Sequence, residues 1–237
     1  MLEDDVLRIA NSWWARDFAC ELRELRPETT RVQAHAGELS GNDGIWILVV
    51  GAGPLSSVPA EIPPEMERAS RWTVSTVEHP AKLAEELAPT SAVEIIGPAY
   101  VGYATADSLK RPAAASARQL HKGDTTVITN LRAHCAAQEW EHGGSEFERV
   151  PTFGAFVGEG LAALAGYESW LDSIAHISVV TRHDHRGQGH GAAAVALAAE
   201  HSLSNGLLRQ YRTLRSNRPS MRLAEKLGFE SMGSRFT

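Results

Sequence analysis

The chain has 237 residues, of which 43% are hydrophobic and 22% charged, and its formal net charge is −6. A chain of this length and composition can bury a hydrophobic core, either as one large domain or as two small ones. The net charge excludes a general nucleic-acid binder, which needs a basic surface, and leaves open only a local basic patch. Two cysteines, Cys20 and Cys135, are too few for a disulfide-rich scaffold or a four-cysteine zinc site and fit a reducing compartment.

No stretch of the sequence approaches the roughly 20 apolar residues of a membrane span. The acidic first residues differ from a secretory signal, which begins basic and continues into an apolar core. We therefore expect a cytoplasmic protein that binds neither nucleic acid nor membrane.

The first residues of the chain predict a helix and then a pair of strands. Apolar residues at helical spacing indicate a helix from residue 3 to about 25, ended by Pro27. Residues 31–51 predict a β-hairpin with its polar turn at residues 40–44.

Prolines and glycines divide the next part of the N-terminal half. Residues 54–64 are proline-rich and predict a surface loop, residues 71–78 are a candidate strand, and Pro80 begins a short helix. Residues 92–104 predict two strands joined by a turn. Residues 107–124 are polar and alanine-rich, so we expect a linker there and place the domain boundary at its end.

The C-terminal half alternates strands and helices, which predicts an α/β or α+β fold with one mixed sheet. Its predicted elements are a helix at 130–140, a loop at 141–151, two strands and a glycine turn at 152–170, a short apolar central strand at 174–180, a glycine-rich segment at 181–191, a helix at 192–203, a strand at 209–215, a helix at 217–228 and a last strand at 229–236.

The most informative local motif is R-x-x-G-x-G, formed by Arg186, Gly189 and Gly191 between the apolar strand and the alanine-rich helix. The first N–H groups of a helix lack internal partners and carry partial positive charge, so they attract anions. Glycines allow a phosphate to approach the backbone, and the arginine adds a charged donor. The alternative is a glycine-rich turn that merely begins a helix.

A second motif follows thirty residues later. V-V-T-x-x-x-x-R-G-Q-G-H-G, at 179–191, and N-R-P-S-M-R-L-A-E-K-L-G-F, at 217–229, together resemble the GNAT superfamily of acyl-CoA N-acyltransferases. The resemblance covers residues 126–237 and implies a mixed, mostly antiparallel sheet with a splayed central strand pair and flanking helices. Residues 1–125 form an N-terminal α/β region of uncertain kind, which we expect to pack on the catalytic half and border the acceptor pocket.

The resemblance also implies how acetyl-CoA would bind as the co-substrate. The backbone of Val179, Val180 and Thr181 would meet the pantetheine arm, and the central strand would splay from its neighbour after His176. Asn217 and Ser220 would lie beside the cofactor. The pyrophosphate would contact the loop formed by Arg186, Gly187, Gln188, Gly189, His190 and Gly191.

GNAT chemistry is direct transfer in a ternary complex, with a base for the amine and an acid, usually a tyrosine, for the departing thiolate. The position of that tyrosine holds Ala224 here. Tyr211 and Tyr167 are the candidate substitutes, each of which could equally be an ordinary core or surface tyrosine. Otherwise the thiolate leaves unassisted or the activity is lost.

Two residues are candidates for the base. His176 lies in the middle of the central strand, and an imidazole titrates near neutrality; the alternative is a hydrogen-bonded core histidine. Glu168, in the preceding strand, is the second candidate, unless it is a solvated carboxylate. Glu141 and His142 could bind a cationic amine, or they form a solvated turn.

Other chemistries fit the sequence poorly. V-V-G-A-G-P, at 49–54, lacks the third glycine and the helix of a dinucleotide loop. His183, Asp184, His185 and His190 are of metal-binding types but fall within the predicted phosphate loop, so we expect no metal.

The sequence therefore predicts an acetyl-CoA-dependent N-acetyltransferase that acts on a primary amine of a small molecule. The alternatives are a non-catalytic acyl-CoA-binding sensor or regulator, and a protein lysine or N-terminal acetyltransferase. A homodimer is compatible with the sequence.

Overall fold

The computed structural model describes residues 4–60, 67–87, 94–112 and 116–236. They divide into two compact units. The C-terminal unit comprises Gly102–Arg212 and Pro219–Glu230, and the N-terminal unit comprises the described residues of Leu2–Val101, Thr213–Arg218 and Ser231–Thr237. Residues 102–125, predicted to be part of the N-terminal half, thus cluster with the C-terminal unit. The division into domains at residue 125 stays a prediction.

The N-terminal unit combines short strands with helices. The strand order is β1-β3-β2-β10, in which β1 is parallel to β3 and the other pairs are antiparallel. Its elements are α1 (Asp4–Asp17), β1 (Arg31–Ala34), β2 (Trp46–Val49), β3 (Leu55–Val58), α2 (Val74–Val77), α3 (Pro80–Leu87) and nearly all of β10 (Glu230–Phe236). Its core includes Ile47, Val58, Trp72, Leu83 and Phe236.

The predicted hairpin at 31–51 is wrong, because β1 pairs with β3 and not with β2. The predicted loop at 54–64 is also wrong where β3 lies, and residues 61–64 fall outside the described residues. All four residues of β3 are buried. Pro54 and Pro59 flank this short strand without interrupting it, so they cost no ladder hydrogen bond.

Two other N-terminal predictions need correction. The strand expected at 71–78 is the helical turn α2, because Thr73 caps it: the Thr76 N–H donates to the Thr73 hydroxyl at 3.2 Å. This cap outweighs the β preference of the valines. The first helix ends at Asp17, where the chain turns through Ala19 at a φ of 49°.

The segments before the C-terminal sheet also differ from prediction. Of residues 92–104, the described ones form a single strand, β4 (Ala99–Ala104), and residues 92–93 lie outside the described part. The expected linker contains β5 (Ala117–Gln119) and is fastened at Lys110, whose N–H donates to the Leu227 carbonyl at 3.0 Å. It is therefore part of the folded unit.

The C-terminal unit is a sheet of order β9-β8-β7-β6-β5 with helices on both faces. Strand β8 is parallel to β9, and the other pairs are antiparallel, which confirms the predicted mixed, mostly antiparallel sheet. Its elements besides β5 are α4 (Thr125–Ala133), α5 (Ala137–Gly143), β6 (Thr152–Val157), β7 (Gly160–Trp170), β8 (Ile174–Thr181), α6 (His190–Ser204), β9 (Leu208–Leu214) and α7 (Arg218–Lys226).

Helix α6 covers one face of this sheet, where Tyr167 of β7 bonds His201 at 2.8 Å. Helices α4 and α5 cover the other face, where Leu131 packs with Leu164 and Val180. The helix predicted at 130–140 is two helices, because Glu139 accepts the Ala136 N–H at 3.2 Å and begins a new one. Helix α5 then continues to Gly143, through the start of the predicted loop.

The turn between β7 and β8 allows a stability prediction. Leu171 and Asp172 both have positive φ, 52° and 49°, and the Ser173 N–H donates to the Trp170 carbonyl at 3.2 Å. Leucine is unfavourable in this conformation, whereas asparagine tolerates it. We expect Leu171→Asn to raise the free energy of unfolding by about 0.5–1 kcal/mol in a denaturant titration.

Leu171→Ala is the matched control. It removes the same exposed apolar side chain but keeps the unfavourable φ, so it should give no comparable gain. A destabilised Leu171→Asn protein would contradict the turn geometry.

None of the helices in the described residues is long and apolar enough to cross a membrane.

Candidate functional site

Strands β8 and β9 separate part of the way along β8, and the gap beside the unpaired end of β8 is referred to as the cleft. The two strands pair from Ile174–Leu208 to Ile177–Tyr211, and beyond Ile177 strand β8 continues to Thr181 without a partner in β9. The predicted splay is therefore present, one residue later than expected. The Ser173 carbonyl accepts from Leu208, so alternate residues of β8 direct their backbone toward this edge. By that alternation, Val179 and Thr181 present backbone groups to the cleft.

The segment after β8 leads into the N-terminus of α6. Gly187 and Gly189 have φ of 75° and 91°, and Gly189 is the residue that caps the 15-residue helix. Glycine offers no side chain to bond the first helical N–H groups, which therefore face outward with partial positive charge. A Cβ atom on either glycine would meet nothing within 4 Å. The loop therefore combines uncapped donors with the space that an anion needs.

Arg186 of this loop already has two partners. Its Nε donates to the Thr181 carbonyl at 3.1 Å, and its Nη2 lies 2.7 Å from Glu139 Oε1 on α5. The hydrogen bond from Arg186 is the main cause that holds the pKa of Glu139 below its usual value. Glu139 of α5 is thus joined to the predicted phosphate loop.

The remaining loop residues fix the backbone. Gln188 Nε2 donates to the Asp184 carbonyl at 3.1 Å, and Asp184 pairs with Arg182 at 2.8 Å. A Cβ on Gly191 would lie 2.7 Å from Thr181 Oγ1, so α6 closely approaches β8 here. The Nδ1 atom of His190 is buried and has no hydrogen-bond partner among the described residues. Within the described ranges, no three His, Cys, Asp or Glu residues are grouped to hold a metal ion.

His176 lies on the face of the sheet that α4 and α5 cover. It is part-buried and stacks on Trp170, with ring centroids 4.2 Å apart. Its Nδ1 lies 3.1 Å from Gln210 Oε1, and Gln210 Nε2 donates to the Tyr103 hydroxyl oxygen at 2.7 Å. Because an amide oxygen only accepts, Nδ1 is the donor of this hydrogen bond, and in the neutral form of the ring the lone pair is then on Nε2.

Glu168 is the cross-strand partner of His176, so both side chains lie on one face. Glu168 is exposed, and its Oε2 accepts from Trp170 Nε1 at 3.4 Å. The Arg212 guanidinium lies 5.5 Å from the Trp170 ring centroid. The structure thus brings the two candidate bases together around a tryptophan that the sequence analysis did not single out.

Tyr211 lies on the opposite face from His176, because it follows Gln210 in β9. Its hydroxyl lies 2.7 Å from Ser220 Oγ on α7, and burial raises its pKa to about 12. Two predicted site residues, Tyr211 and Ser220, are thus in contact. Ala224 is fully buried in α7, and the Tyr167 hydroxyl forms a hydrogen bond with His201 Nδ1.

The other predicted residues are placed as follows. Asn217 lies in the turn before α7, and its N–H donates to the Leu214 carbonyl at 3.0 Å. Glu141 and His142 are exposed on α5 and not in a loop, and His142 Nδ1 bonds the Gln138 carbonyl at 2.7 Å. At the end of α5, a Cβ on Gly143 would collide with the Val179 carbonyl oxygen, so the helix borders the cleft.

Three residues of this site were missed from the sequence: Trp170, Gln210 and Tyr103. Trp170 follows Glu168 by two positions in β7, so strand alternation alone could have placed it on the same face. Gln210 becomes the partner of His176, and Tyr103 the partner of Gln210, only through long-range contacts, for which the sequence carries no local signal.

Residues 115–229 match the model of the acetyltransferase (GNAT) family. No curated protein matches the sequence at a significant level. Among solved structures, the chain is similar to an acetyltransferase from the GNAT family of Colwellia psychrerythraea, with 17% identity and a TM-score of 0.50, over 65% of this chain and 60% of that one.

Two further solved structures are similar to the chain. A GCN5-related N-acetyltransferase from Kribbella flavida has 18% identity and a TM-score of 0.47, over 65% of this chain and 62% of that one. A GCN5-related N-acetyltransferase-like protein from Streptococcus suis has 15% identity and a TM-score of 0.47, over 81% and 82%. The matches span about three fifths of the Colwellia and Kribbella chains.

Proposed function

We propose that the protein transfers an acetyl group from acetyl-CoA to a primary amine of a small molecule, because residues 115–229 match the model of the acetyltransferase (GNAT) family. The observation that carries this proposal is the cleft between β8 and β9, next to the uncapped N-terminus of α6. A strand edge with no partner strand, beside an anion-binding helix end, suits a ligand with an amide-containing arm and a pyrophosphate.

We place the acyl donor along this cleft. Backbone N–H groups from Gly187 to Gly191, together with the Arg186 guanidinium, hold the pyrophosphate. The pantetheine arm bonds the backbone of Val179 and Thr181, and the Val180 backbone lies between them. Asn217 and Ser220 flank the donor. A strand N–H group at this edge that the arm does not bond can stabilise negative charge on the thioester oxygen during attack.

His176 is the proposed base. An alkyl amine is mostly protonated at neutral pH and must lose a proton before it attacks a thioester. The contact with Gln210 Oε1 leaves the His176 lone pair on Nε2, the form that accepts a proton, directly or through water. Glu168, on the same face, supplies a carboxylate that attracts the ammonium group and is the second candidate base. Glu141 and His142 on α5 are further candidates for binding the acceptor.

Tyr211 is the proposed substitute for the missing acid at Ala224. With a pKa raised to about 12, it stays protonated at neutral pH and can donate a hydrogen bond to the departing thiolate. Complete proton transfer is uphill, because the ordinary pKa of a thiol is about 8.5. Ser220, whose Oγ lies 2.7 Å from the Tyr211 hydroxyl, can relay a hydrogen bond from Tyr211 to the thiolate in this proposal.

A release assay for free CoA tests the proposal. Purified protein with acetyl-CoA is offered a panel of small amines, amino acids and short peptides, with reactions lacking the amine as controls. We expect CoA release that depends on one or more small amines and yields the N-acetylated product.

The same assay separates the alternative functions. Tight acetyl-CoA binding without turnover on any amine would favour a non-catalytic sensor. Ala224, a buried residue at the position of the usual tyrosine acid, supports that function. Turnover confined to peptides would favour a protein acetyltransferase. Either result would overturn the proposed small-molecule activity.

A further inference from the structure

We propose that Glu139 is a positioning residue that limits the affinity for the acyl donor, because its carboxylate competes with the donor's pyrophosphate for the guanidinium of Arg186. The inference rests on the proposed function, since it takes the loop from Arg186 to Gly191 as the pyrophosphate site. It adds a residue on α5, outside that loop, which sets how tightly the donor is held.

The ion pair is positioned to compete. Arg186 Nη2 lies 2.7 Å from Glu139 Oε1, and the two side chains are 42% and 41% exposed, so an incoming ligand can reach both. The Nε of Arg186 is bonded to the Thr181 carbonyl at 3.1 Å, which holds the guanidinium at the start of the loop. A phosphate that approaches Arg186 from the loop therefore meets a guanidinium that already has an anionic partner.

Glu139 is also fixed from its own side. Its second oxygen, Oε2, accepts the Ala136 N–H at 3.2 Å and thereby caps α5. The carboxylate cannot move far from the loop without giving up this cap. When a pyrophosphate binds to Arg186, the guanidinium must therefore give up its contact with Glu139, and the cost of breaking this ion pair opposes binding.

Arg182, which precedes the loop, does not relieve this competition. It pairs with Asp184 at 2.8 Å, so its charge is likewise balanced by a nearby carboxylate. We therefore infer that much of the attraction for the donor comes from the helix N-terminus. The ion pair with Glu139 offsets part of the attraction between Arg186 and the phosphates.

Glu139→Gln tests this inference, because glutamine keeps an oxygen for the Ala136 N–H but lacks the charge. The dissociation constants of CoA, ADP and pantetheine are measured by calorimetry at low ionic strength. We expect the variant to bind CoA and ADP about 3- to 10-fold more tightly and pantetheine, which lacks the pyrophosphate, with unchanged affinity. Glu146→Gln is the control, since it neutralises an exposed carboxylate paired with Arg149 at 3.1 Å.

An Arg186→Gln background separates competition for the arginine from general repulsion. If Glu139 acts through Arg186, its substitution changes CoA affinity little once the arginine is gone. CoA affinity that is unchanged or weaker in Glu139→Gln, or an equal gain in both backgrounds, would overturn the inference alone. A wild-type protein that binds no CoA would overturn the proposed function and this inference together.

Discussion

Gly189→Val is expected to weaken the binding of acetyl-CoA about 100-fold or more. A valine at this position has to adopt a φ of 91°, and its side chain would occupy the open space in front of the first N–H groups of α6. The loss of two charge-assisted hydrogen bonds, each of roughly 1.5–3 kcal/mol, accounts for an effect of this size. The measurement is the dissociation constant of acetyl-CoA by calorimetry.

Gly206→Val is the matched control for this substitution. Gly206 follows the other end of α6 and has a φ of 73°, and a Cβ atom added to it would also meet nothing within 4 Å. The two variants therefore carry a similar backbone strain, but only one of them blocks the proposed pyrophosphate site. A folded Gly189→Val protein with the donor affinity of Gly206→Val would show that the phosphates bind elsewhere.

His176→Ala is expected to reduce turnover about 10²- to 10⁴-fold, the usual contribution of a general base. The dissociation constant of acetyl-CoA should change little, because in the proposal the donor is held by the loop from Arg186 to Gly191 and by the backbone of β8, not by the His176 side chain. The wild-type rate should rise with pH as the imidazole loses its proton, since only the neutral ring accepts the proton of the amine. This part of the pH dependence should disappear in the variant.

His134→Ala is the control, because His134 is an exposed histidine whose Nδ1 bonds the Asn130 carbonyl at the end of α4. It should leave both turnover and its pH dependence unchanged. A folded His176→Ala enzyme with near wild-type turnover would make His176 a structural residue that packs on Trp170. Glu168 would then be the candidate base to test next.

The parts of the fold that the sequence predicts well are those with local signals. Strand β8, the glycine loop and α6 follow one another as a β-branched apolar run, a turn and an alanine-rich helix, and the sequence locates each within a few residues. The order of the N-terminal strands is not predictable in this way. The pairing of β1 with β3 depends on long-range contacts, and the capping threonine of α2 competes with a β-rich composition.

The same distinction between local signals and long-range contacts applies to the candidate site. The loop from Arg186 to Gly191 carries its chemistry in consecutive residues, so its form could be anticipated. The surroundings of His176 could not, because Gln210 lies 34 residues away and becomes its neighbour only through the parallel pairing of β8 with β9. The bond between Arg186 and Glu139 spans 47 residues and depends on where α5 begins.

A crystal structure of the protein with acetyl-CoA would show whether the donor binds in the cleft between β8 and β9. We expect the pyrophosphate to contact backbone N–H groups between Gly187 and Gly191, the pantetheine arm to bond the backbone of Val179, and the thioester to lie where β8 leaves β9 after Ile177. Acetyl-CoA bound at saturation in another place, with this cleft left free of it, would overturn the proposed donor site.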